Sequence, residues 1–262
     1  MSEKYQNAVS FIKQNYWEGV NFEDEMLINT PYLIGKTNYY VNLFNQKDTL
    51  NIIKTTNDLL ERAVVKSKVY HIIEEALLNL YLQKSSGFFN EEMGIYILKN
   101  EQEQIFTPDW RKDDIGSRVS FILKNKVDTV AAQLDLEDQN GKKISLLNSK
   151  SKYTILYFFD PDCSRCVGVS PIVKDWLINA APKNISFLAV YVDNNSAEWH
   201  KYLKENKFPN NWANLWGNMD FATIRTQYWI ESIPSIYLLD ENKKVILKDV
   251  SYKQLMYYLN KT

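Results

Sequence analysis

Two continuous apolar runs in the second half of the chain constrain its fold more than any other feature. They are YTILYFF at residues 153–159 and ISFLAVYV at residues 185–192. Apolar runs of this length, without alternating polar residues, are typical of strands buried on both faces of a parallel sheet. A helix is predicted between them, from Cys163 onward, so the sequence indicates a sheet with helices packed against it.

The remainder of this half continues to alternate strands and helices. SAEWHKYLKEN predicts a helix with Ser196 as its N-cap, and DFATIRTQYW predicts one with Asp220 as its N-cap. Asn140-Gly141 lies between two short strand-like stretches and predicts a β-hairpin. A second hairpin is predicted around the turn at 240–243, and YKQLMYYLN is predicted to close the chain as a helix.

The first part of the chain has helical periodicity instead. In SKVYHIIEEALLNLYLQK, apolar residues from Val69 to Tyr81 recur at i, i+3, i+4 and i+7 and form one stripe along a helix. Glu74 and Glu75 fall on the opposite face of this helix, where we expect solvent. Other segments repeat the pattern, and glycine is scarce at 8 of 262 residues. We therefore predict an all-α domain at 1–125 and an α/β domain at 126–262.

The bulk composition excludes several classes of function. A formal net charge of −1 and a pI near 6.2 provide no basic field that would favour nucleic acid. No run of about 18 apolar residues is present, so no transmembrane helix is predicted. The opening MSEKYQNAVSFIKQ lacks the apolar core of a signal peptide. The protein is therefore expected to be cytosolic, or to be exported by a signal that this sequence does not contain.

The only two cysteines, Cys163 and Cys166, lie where the first apolar run passes into the predicted helix. A residue at a helix N-terminus faces unpaired backbone N–H groups and the positive end of the helix dipole, which favour a thiolate. Arg165 adds positive charge in the same turn, whereas Asp160 and Asp162 oppose this effect. The second cysteine, about one turn further on, is placed to attack a mixed disulfide formed on the first.

This half of the chain, from about Ala131 to Thr262, resembles the thioredoxin fold, and within it the TlpA-like redoxin branch of thiol-disulfide oxidoreductases. CxxC alone is a weak motif, but here it stands in the order that is typical of this branch. The features that carry the resemblance are the strand TILYFF leading into DPDCSRC, a helix proline at Pro171, Ile233-Pro234 in ESIPSIYLLD, and an insertion from Ser196 to Trp229.

The resemblance implies a role for each residue of the motif. Cys163 is expected to be the nucleophile and Cys166 the resolving thiol, and Pro234 is expected to have a cis peptide bond and to pack against them. Ile233 is expected to pair with an extended substrate backbone. Arg165 is a further candidate for substrate contact. No cofactor and no metal are expected.

The chain departs from the thioredoxin pattern at two positions. Thioredoxins have a buried acid six residues before the first cysteine, which accepts a proton from the second, and here that position is Tyr157. They also have tryptophan directly before the first cysteine, and here it is Asp162. The proton acceptor is therefore unassigned, because Asp160 and Asp162 are expected to be solvated loop residues.

Other interpretations of the cysteine pair stay open. In these hypotheses the pair is a static structural disulfide, the remnant of a fold that has lost its activity, or half of a zinc site. Zinc needs two more ligands, and only His71 and His200 offer nitrogen, without ligand spacing to the cysteines. Both histidines, and the tryptophans Trp212 and Trp216, are expected to be ordinary surface or packing residues. A peroxidatic site is disfavoured because the Thr-x-x-Cys arrangement is missing.

The helical half, including TPYLIGKTNYYVNLF and GFFNEEMGIYIL, resembles a domain of unknown function found before thioredoxin-like domains in Bacteroidetes proteins. This resemblance implies an exported protein, in the periplasm or cell envelope, with the cytoplasm as the alternative. The partners implied are protein thiols and disulfides and an upstream electron donor. The rival hypothesis is a binding protein, in which the thioredoxin-like domain is a scaffold and the helical domain recognises a partner.

Overall fold

A computed structural model describes residues 3–44, 49–63, 67–146, 150–217, 219–230 and 232–261. The chain divides into two compact units, Met1–Val119 and Ser120–Thr262. The first unit is helical, and the second contains a mixed β-sheet with helices. The predicted fold class, a helical region followed by an α/β region, is confirmed.

The helical unit is built around one central helix. The helix α4 (Ser67–Leu82) packs against α2 (Tyr32–Phe44), α3 (Thr49–Ala63) and α5 (Glu91–Gln102). It is therefore buried on other faces as well as along its apolar stripe. Glu74, predicted to face solvent, is fully buried for this reason. None of the helices in the described ranges is both long and apolar enough to cross a membrane. The helices are α1 (Glu3–Asn15), a 3-10 helix (Glu25–Asn29), α2 (Tyr32–Phe44), α3 (Thr49–Ala63), α4 (Ser67–Leu82), α5 (Glu91–Gln102) and α6 (Asp109–Ile122).

The α/β unit contains seven strands and four helices within the described residues. They are β1 (Leu136–Asp138), β2 (Lys143–Ile144), β3 (Tyr153–Phe159), α7 (Ser164–Asn179), β4 (Ile185–Tyr191), α8 (Ser196–Glu205), β5 (Trp212–Trp216), α9 (Phe221–Gln227), β6 (Ser235–Leu239), β7 (Val245–Val250) and α10 (Tyr252–Leu259). The strands form one sheet in the order β2-β1-β5-β4-β3-β6-β7. The strands β3, β4 and β5 are parallel, and the outer strands are antiparallel to their neighbours.

The two apolar runs of the sequence form adjacent central strands, β3 and β4, as predicted. Along β3, alternate residues enter separate cores on the two faces of the sheet. Tyr157 and Phe159 lie in the core that also contains Cys166 and Val173 of α7, whereas Phe158 lies in the opposite core. This alternation places the start of α7 over the same face as Tyr157.

Three local predictions can be compared with the structure. Both hairpins are present, and Gly141 has the positive φ of +74° that its turn requires. Asp220 caps α9 as predicted, but α8 is capped by Asn195, one residue before the predicted Ser196. The strand β5 was not predicted, because WANLW is short and contains no β-branched residue. Its tryptophans, Trp212 and Trp216, are both buried, as expected of packing residues.

Candidate active site

The turn between β3 and α7 positions the first cysteine. The Asp160 carboxylate accepts a hydrogen bond from the backbone N–H of Asp162 (2.8 Å), and the Asp160 carbonyl accepts one from the N–H of Cys163 (3.2 Å). Cys163 is the N-cap of α7, with an extended backbone at φ −76° and ψ 112°. Its sulfur accepts a hydrogen bond from the N–H of Cys166 at 3.4 Å. The sulfur of Cys163 therefore occupies the place of an N-cap oxygen, facing the free N–H groups of the helix.

The two thiols differ in exposure and in proton affinity. Cys163 is half-buried, whereas only 1% of Cys166 is exposed. Burial raises the pKa of the Cys166 thiol to about 12, and its hydrogen bond with Cys163 and the charges of Cys163 and Asp160 act in the same direction. At neutral pH, Cys166 is therefore a neutral thiol that must lose a proton before it can act as a nucleophile.

A loop from the far end of the chain completes the surface around Cys163. The Ile233–Pro234 peptide bond is cis, and both residues are half-buried. The Cys163 thiol donates a weak hydrogen bond to the Ile233 carbonyl oxygen at 3.6 Å. This contact follows from the register of the sheet, in which Ser235 pairs with Phe158 near the end of β3. The structure thus brings Ile233 and Pro234 to Cys163 across 70 positions of sequence.

Two further residues of α7 were singled out in the sequence, Arg165 as a candidate for substrate contact and Pro171 as a helix proline. Arg165 is exposed in the first turn, beside the thiols in sequence. Pro171 lies inside the helix and is exposed, and because proline has no N–H the helix lacks one backbone hydrogen bond there.

The position of the missing buried acid is occupied by a neutral phenol. Tyr157 is fully buried, and its hydroxyl shares a hydrogen bond with the Ser170 hydroxyl at 3.1 Å. Burial raises the pKa of Tyr157, an effect that the hydrogen bond with Ser170 partly opposes. A phenol of this kind holds its proton at neutral pH and is not a base for Cys166.

Asp160 is not the solvated loop residue that the sequence predicted. It is half-buried, whereas Asp162 is exposed as expected. Burial raises the pKa of the Asp160 carboxyl, with further contributions from neighbouring carboxylates, while the hydrogen bond from Asp162 acts in the opposite direction. Asp160 lines a cavity of about 310 Å³ together with Cys166, Ser170 and Tyr202.

Two of these cavity residues, Ser170 and Tyr202, were not predicted from the sequence to belong to the site. Ser170 follows Cys166 by four positions, so helical spacing alone places both on the same face of α7. Tyr202 belongs to α8, and no pattern in the sequence indicates which part of the sheet α8 covers.

The cysteines do not form part of a metal-ligand set within the described ranges of the chain. His200 is exposed on α8, and its Nδ1 lies 2.7 Å from the Ser196 carbonyl oxygen. In the described residues, the one group of side chains with the spacing of metal ligands lies in the helical unit and contains His71.

Family models match the two parts of the chain separately. Residues 151–245 match a thioredoxin-like family, and residues 2–125 match a domain of unknown function (DUF5106). These matches confirm that the second half resembles thioredoxin-like proteins and that the first half resembles a domain of unknown function. None of the curated proteins matches the chain.

Solved structures similar to this chain include the following three. A thioredoxin-like protein from Bacteroides caccae is 24% identical, with a TM-score of 0.75, over 97% of this chain and 92% of that one. A conserved protein of unknown function from Bacteroides fragilis is 33% identical over 51% of this chain and 98% of its own, with a TM-score of 0.43. A domain of a possible thiol-disulfide isomerase from Cytophaga hutchinsonii is 29% identical over 52% of this chain and 91% of its own, with a TM-score of 0.47. The first of these shows that the fold is shared along nearly the whole chain.

Proposed function

Because this chain carries a thioredoxin-like domain behind an N-terminal domain of unknown function (DUF5106), we propose that it is a thiol-disulfide oxidoreductase that acts through Cys163 and Cys166. The observation that carries the proposal is the position of the Cys163 sulfur. It is half-buried at the start of α7, 3.4 Å from the Cys166 N–H nitrogen and 3.6 Å from the Ile233 carbonyl oxygen. The second thiol, Cys166, lies in the first turn of the same helix and is buried.

In the first step, the Cys163 thiolate attacks one sulfur of a substrate disulfide. A bond forms between Cys163 and that sulfur, and the disulfide bond of the substrate breaks. The other substrate sulfur leaves as a thiolate and takes a proton from water. The helix N-terminus favours the thiolate form of an attacking cysteine in this position.

In the second step, Cys166 resolves the mixed disulfide. Its thiol gives up a proton, its sulfur attacks Cys163 Sγ, and the second substrate sulfur leaves as a thiolate. Two electrons have then moved from the protein to the substrate, and a Cys163–Cys166 disulfide remains. A thiol donor upstream of this protein has to reduce that disulfide before the next turnover.

Asp160 is the proton acceptor that we assign to Cys166. Both residues line the same cavity, and Tyr157 behind them holds its own proton. The raised pKa of Asp160 makes this carboxylate a better base than a solvated aspartate. The cavity also gives water a route by which the proton leaves.

The loop at Ile233 and Pro234 is the surface on which the substrate strand would lie. Proline offers no backbone N–H, so the polar backbone groups of Ile233 are the ones available for β-type pairing with an extended peptide. The exposed guanidinium of Arg165 adds positive charge beside the thiols, which favours substrates with acidic residues near the disulfide.

The direction of exchange that we propose is reduction, in the periplasm or cell envelope. It rests on the resemblance to the TlpA-like branch, whose members mostly reduce disulfides. The reduction potential of the Cys163–Cys166 couple tests it. A value near about −270 mV supports a reductant, and a value near about −120 mV indicates an oxidant.

The enzymatic proposal is tested by insulin reduction in the presence of a low-molecular-weight thiol. The wild-type protein should accelerate the reaction, and the Cys163→Ser/Cys166→Ser variant should not. Equal rates for both proteins would overturn the proposal and favour a binding protein with a thioredoxin-like scaffold.

Trapping separates the roles of the two cysteines. Cys166→Ser should accumulate a mixed disulfide with substrate on Cys163, because the resolving thiol is gone, and Cys163→Ser should accumulate none. Mass spectrometry of non-reduced samples measures both. Accumulation on Cys166 in the Cys163→Ser variant would reverse the assignment.

A further inference from the structure

The helical unit contains a second cluster of ionisable side chains, which takes no part in the proposed thiol chemistry. The helix α4 contributes His71 and Glu74, one turn apart, α5 contributes Glu101 and α6 contributes Arg111. The side chains of Glu74 and Glu101 are both 0% exposed. Two carboxylates in the interior of a helical unit are costly unless cations or hydrogen-bond donors compensate them.

One of these carboxylates lacks the hydrogen bonds that such burial demands. Arg111 donates to both oxygens of Glu101, each at 2.9 Å. Neither oxygen of Glu74 accepts a hydrogen bond within the described residues, and its contacts are ionic ones at 3.5 Å to His71 and 3.6 Å to Arg111. Buried polar atoms nearly always have a partner, so the Glu74 carboxylate is suited to a ligand that binds oxygen.

The spacing of the three side chains fits a metal ion. The Nδ1 atom of His71 lies 3.2 Å from an oxygen of Glu101 and 3.5 Å from an oxygen of Glu74, and the three ligand atoms all lie within 4.8 Å of one another. Two ligands at about 2.1 Å from a tetrahedral zinc ion are separated by about 3.4 Å. The observed separations therefore require little movement of the side chains.

The charge of the wider cluster also fits a divalent cation. Its ion pairs join the guanidiniums of Arg111 and Arg118 to four carboxylates. With His71 neutral and all four carboxylates ionised, as metal binding requires, four negative charges face two positive ones, and two are left without compensation. These carboxylates belong to Glu74, Glu75, Glu101 and Asp114.

We propose that His71, Glu74 and Glu101 bind a divalent transition-metal ion of the zinc class, with Arg111 holding Glu101 in place. One imidazole nitrogen and two carboxylate oxygens are ligands that zinc accepts, and a ligating carboxylate is normally held by a further hydrogen bond. The side chain of His71 is 37% exposed, which gives the ion a path from solvent. A proton on Glu74 is the competing occupant of the same position.

The test is zinc binding by the full-length chain, measured by isothermal titration and by elemental analysis after dialysis. All proteins should carry Cys163→Ser and Cys166→Ser, so that the thiols do not bind the probe. We expect one equivalent of zinc, and His71→Ala and Glu74→Gln should each weaken binding by at least about tenfold. The matched control is His200→Ala, which removes an exposed histidine and should bind as the parent does.

Glu74→Gln keeps the size of the side chain, and circular dichroism shows whether each variant folds. Binding of less than one tenth of an equivalent by the folded parent would overturn the proposal and leave a proton as the occupant. Binding that is equally tight in His71→Ala and Glu74→Gln would also overturn it, because the zinc would then lie elsewhere.

Discussion

The thiol pair of the α/β unit and the charged cluster of the helical unit both place ionisable groups out of water, but their neighbours act in opposite directions. Burial raises the pKa of Glu101, yet the hydrogen bonds from Arg111, the neighbouring carboxyl of Glu74 and the charges of Arg111 and His71 bring it below its usual value. At Cys166, burial raises the pKa, and the effects of Cys163 and the Asp160 charge raise it further and outweigh the lowering by a hydrogen bond from the Asp160 backbone. Glu101 is therefore held ionised and Cys166 is held protonated.

This difference distinguishes a carboxylate that is held in its ionised form from a thiol that gives up its proton in the proposed mechanism. Two hydrogen bonds from Arg111 stabilise the ionised form of Glu101, so this carboxylate has little tendency to take up a proton. The protonated Cys166 lines a cavity together with the Asp160 carboxyl group, which accepts the thiol proton in the proposed mechanism. Three substitutions test this contrast.

The largest effect is expected from Glu101→Gln. It leaves the Arg111 guanidinium, 15% exposed, without its bidentate partner, and should lower the free energy of unfolding by about 3 kcal/mol. Urea unfolding at pH 7 with a chelator present measures this value. Glu75→Gln is the control, because that side chain is 50% exposed, and it should stay within about 0.5 kcal/mol of the wild type. Equal losses in both variants would mean that Glu101 is not specially held.

The second substitution, Asp160→Asn, removes the proposed proton acceptor. Release of the second substrate thiol should slow by about 100-fold, whereas formation of the mixed disulfide should change little. Stopped-flow single turnovers separate the two steps. In the wild type, the release rate should rise with pH through the raised pKa of Asp160, and the variant should lack this rise.

The exposed neighbour provides the control for this experiment. Asp162→Asn removes the same charge two positions away and should leave the release rate within a few-fold of the wild type. A slow release in Tyr157→Phe together with a normal rate in Asp160→Asn would assign the proton transfer to the phenol instead.

The smallest effect concerns the pH dependence of stability in reducing buffer. The pKa of Cys166 is higher in the folded than in the unfolded chain, so its contribution is complete below the unfolded value and is lost as pH rises toward about 12. From pH 8 to pH 10, the wild type should lose about 2 kcal/mol relative to Cys166→Ala. Urea unfolding at both pH values measures the difference.

Val173→Ala serves as its control, since it truncates a buried apolar side chain of the same helix. Its stability difference from the wild type should not depend on pH. A difference between wild type and Cys166→Ala that stays constant from pH 8 to pH 10 would show that the folded protein does not resist ionisation of this thiol.

Several features of the fold follow from local sequence. The runs at 153–159 and 185–192 became adjacent buried strands, because continuous apolarity is a property that each segment has by itself. Asn140-Gly141 became a hairpin turn, since Gly141 tolerates the positive φ that the turn needs. The place of Cys163 at a helix start was also predictable, because the strand before it and the helix after it are both patterns of the local sequence.

Other predictions failed where an outcome depended on packing between elements. Glu74 was expected in solvent because it lies opposite the apolar stripe of α4, but that helix is covered on several sides. Asp160 was expected to be a solvated loop residue, but it lines a cavity with Tyr202 of α8. In both cases the periodicity of one helix or the polarity of one loop contains no information about its neighbours.

The sequence by itself determined the two kinds of architecture, the paired cysteines and their place between a strand and a helix, because these depend on residues that are close along the chain. Only the tertiary structure decided that the Ile233 carbonyl lies 3.6 Å from Cys163, that Asp160 shares a cavity with Cys166, and that Glu74 and Glu101 are buried together. Spacing along a helix or strand tells which face a residue occupies. What covers that face, and hence how strongly water is excluded from an ionisable group, depends on distant segments.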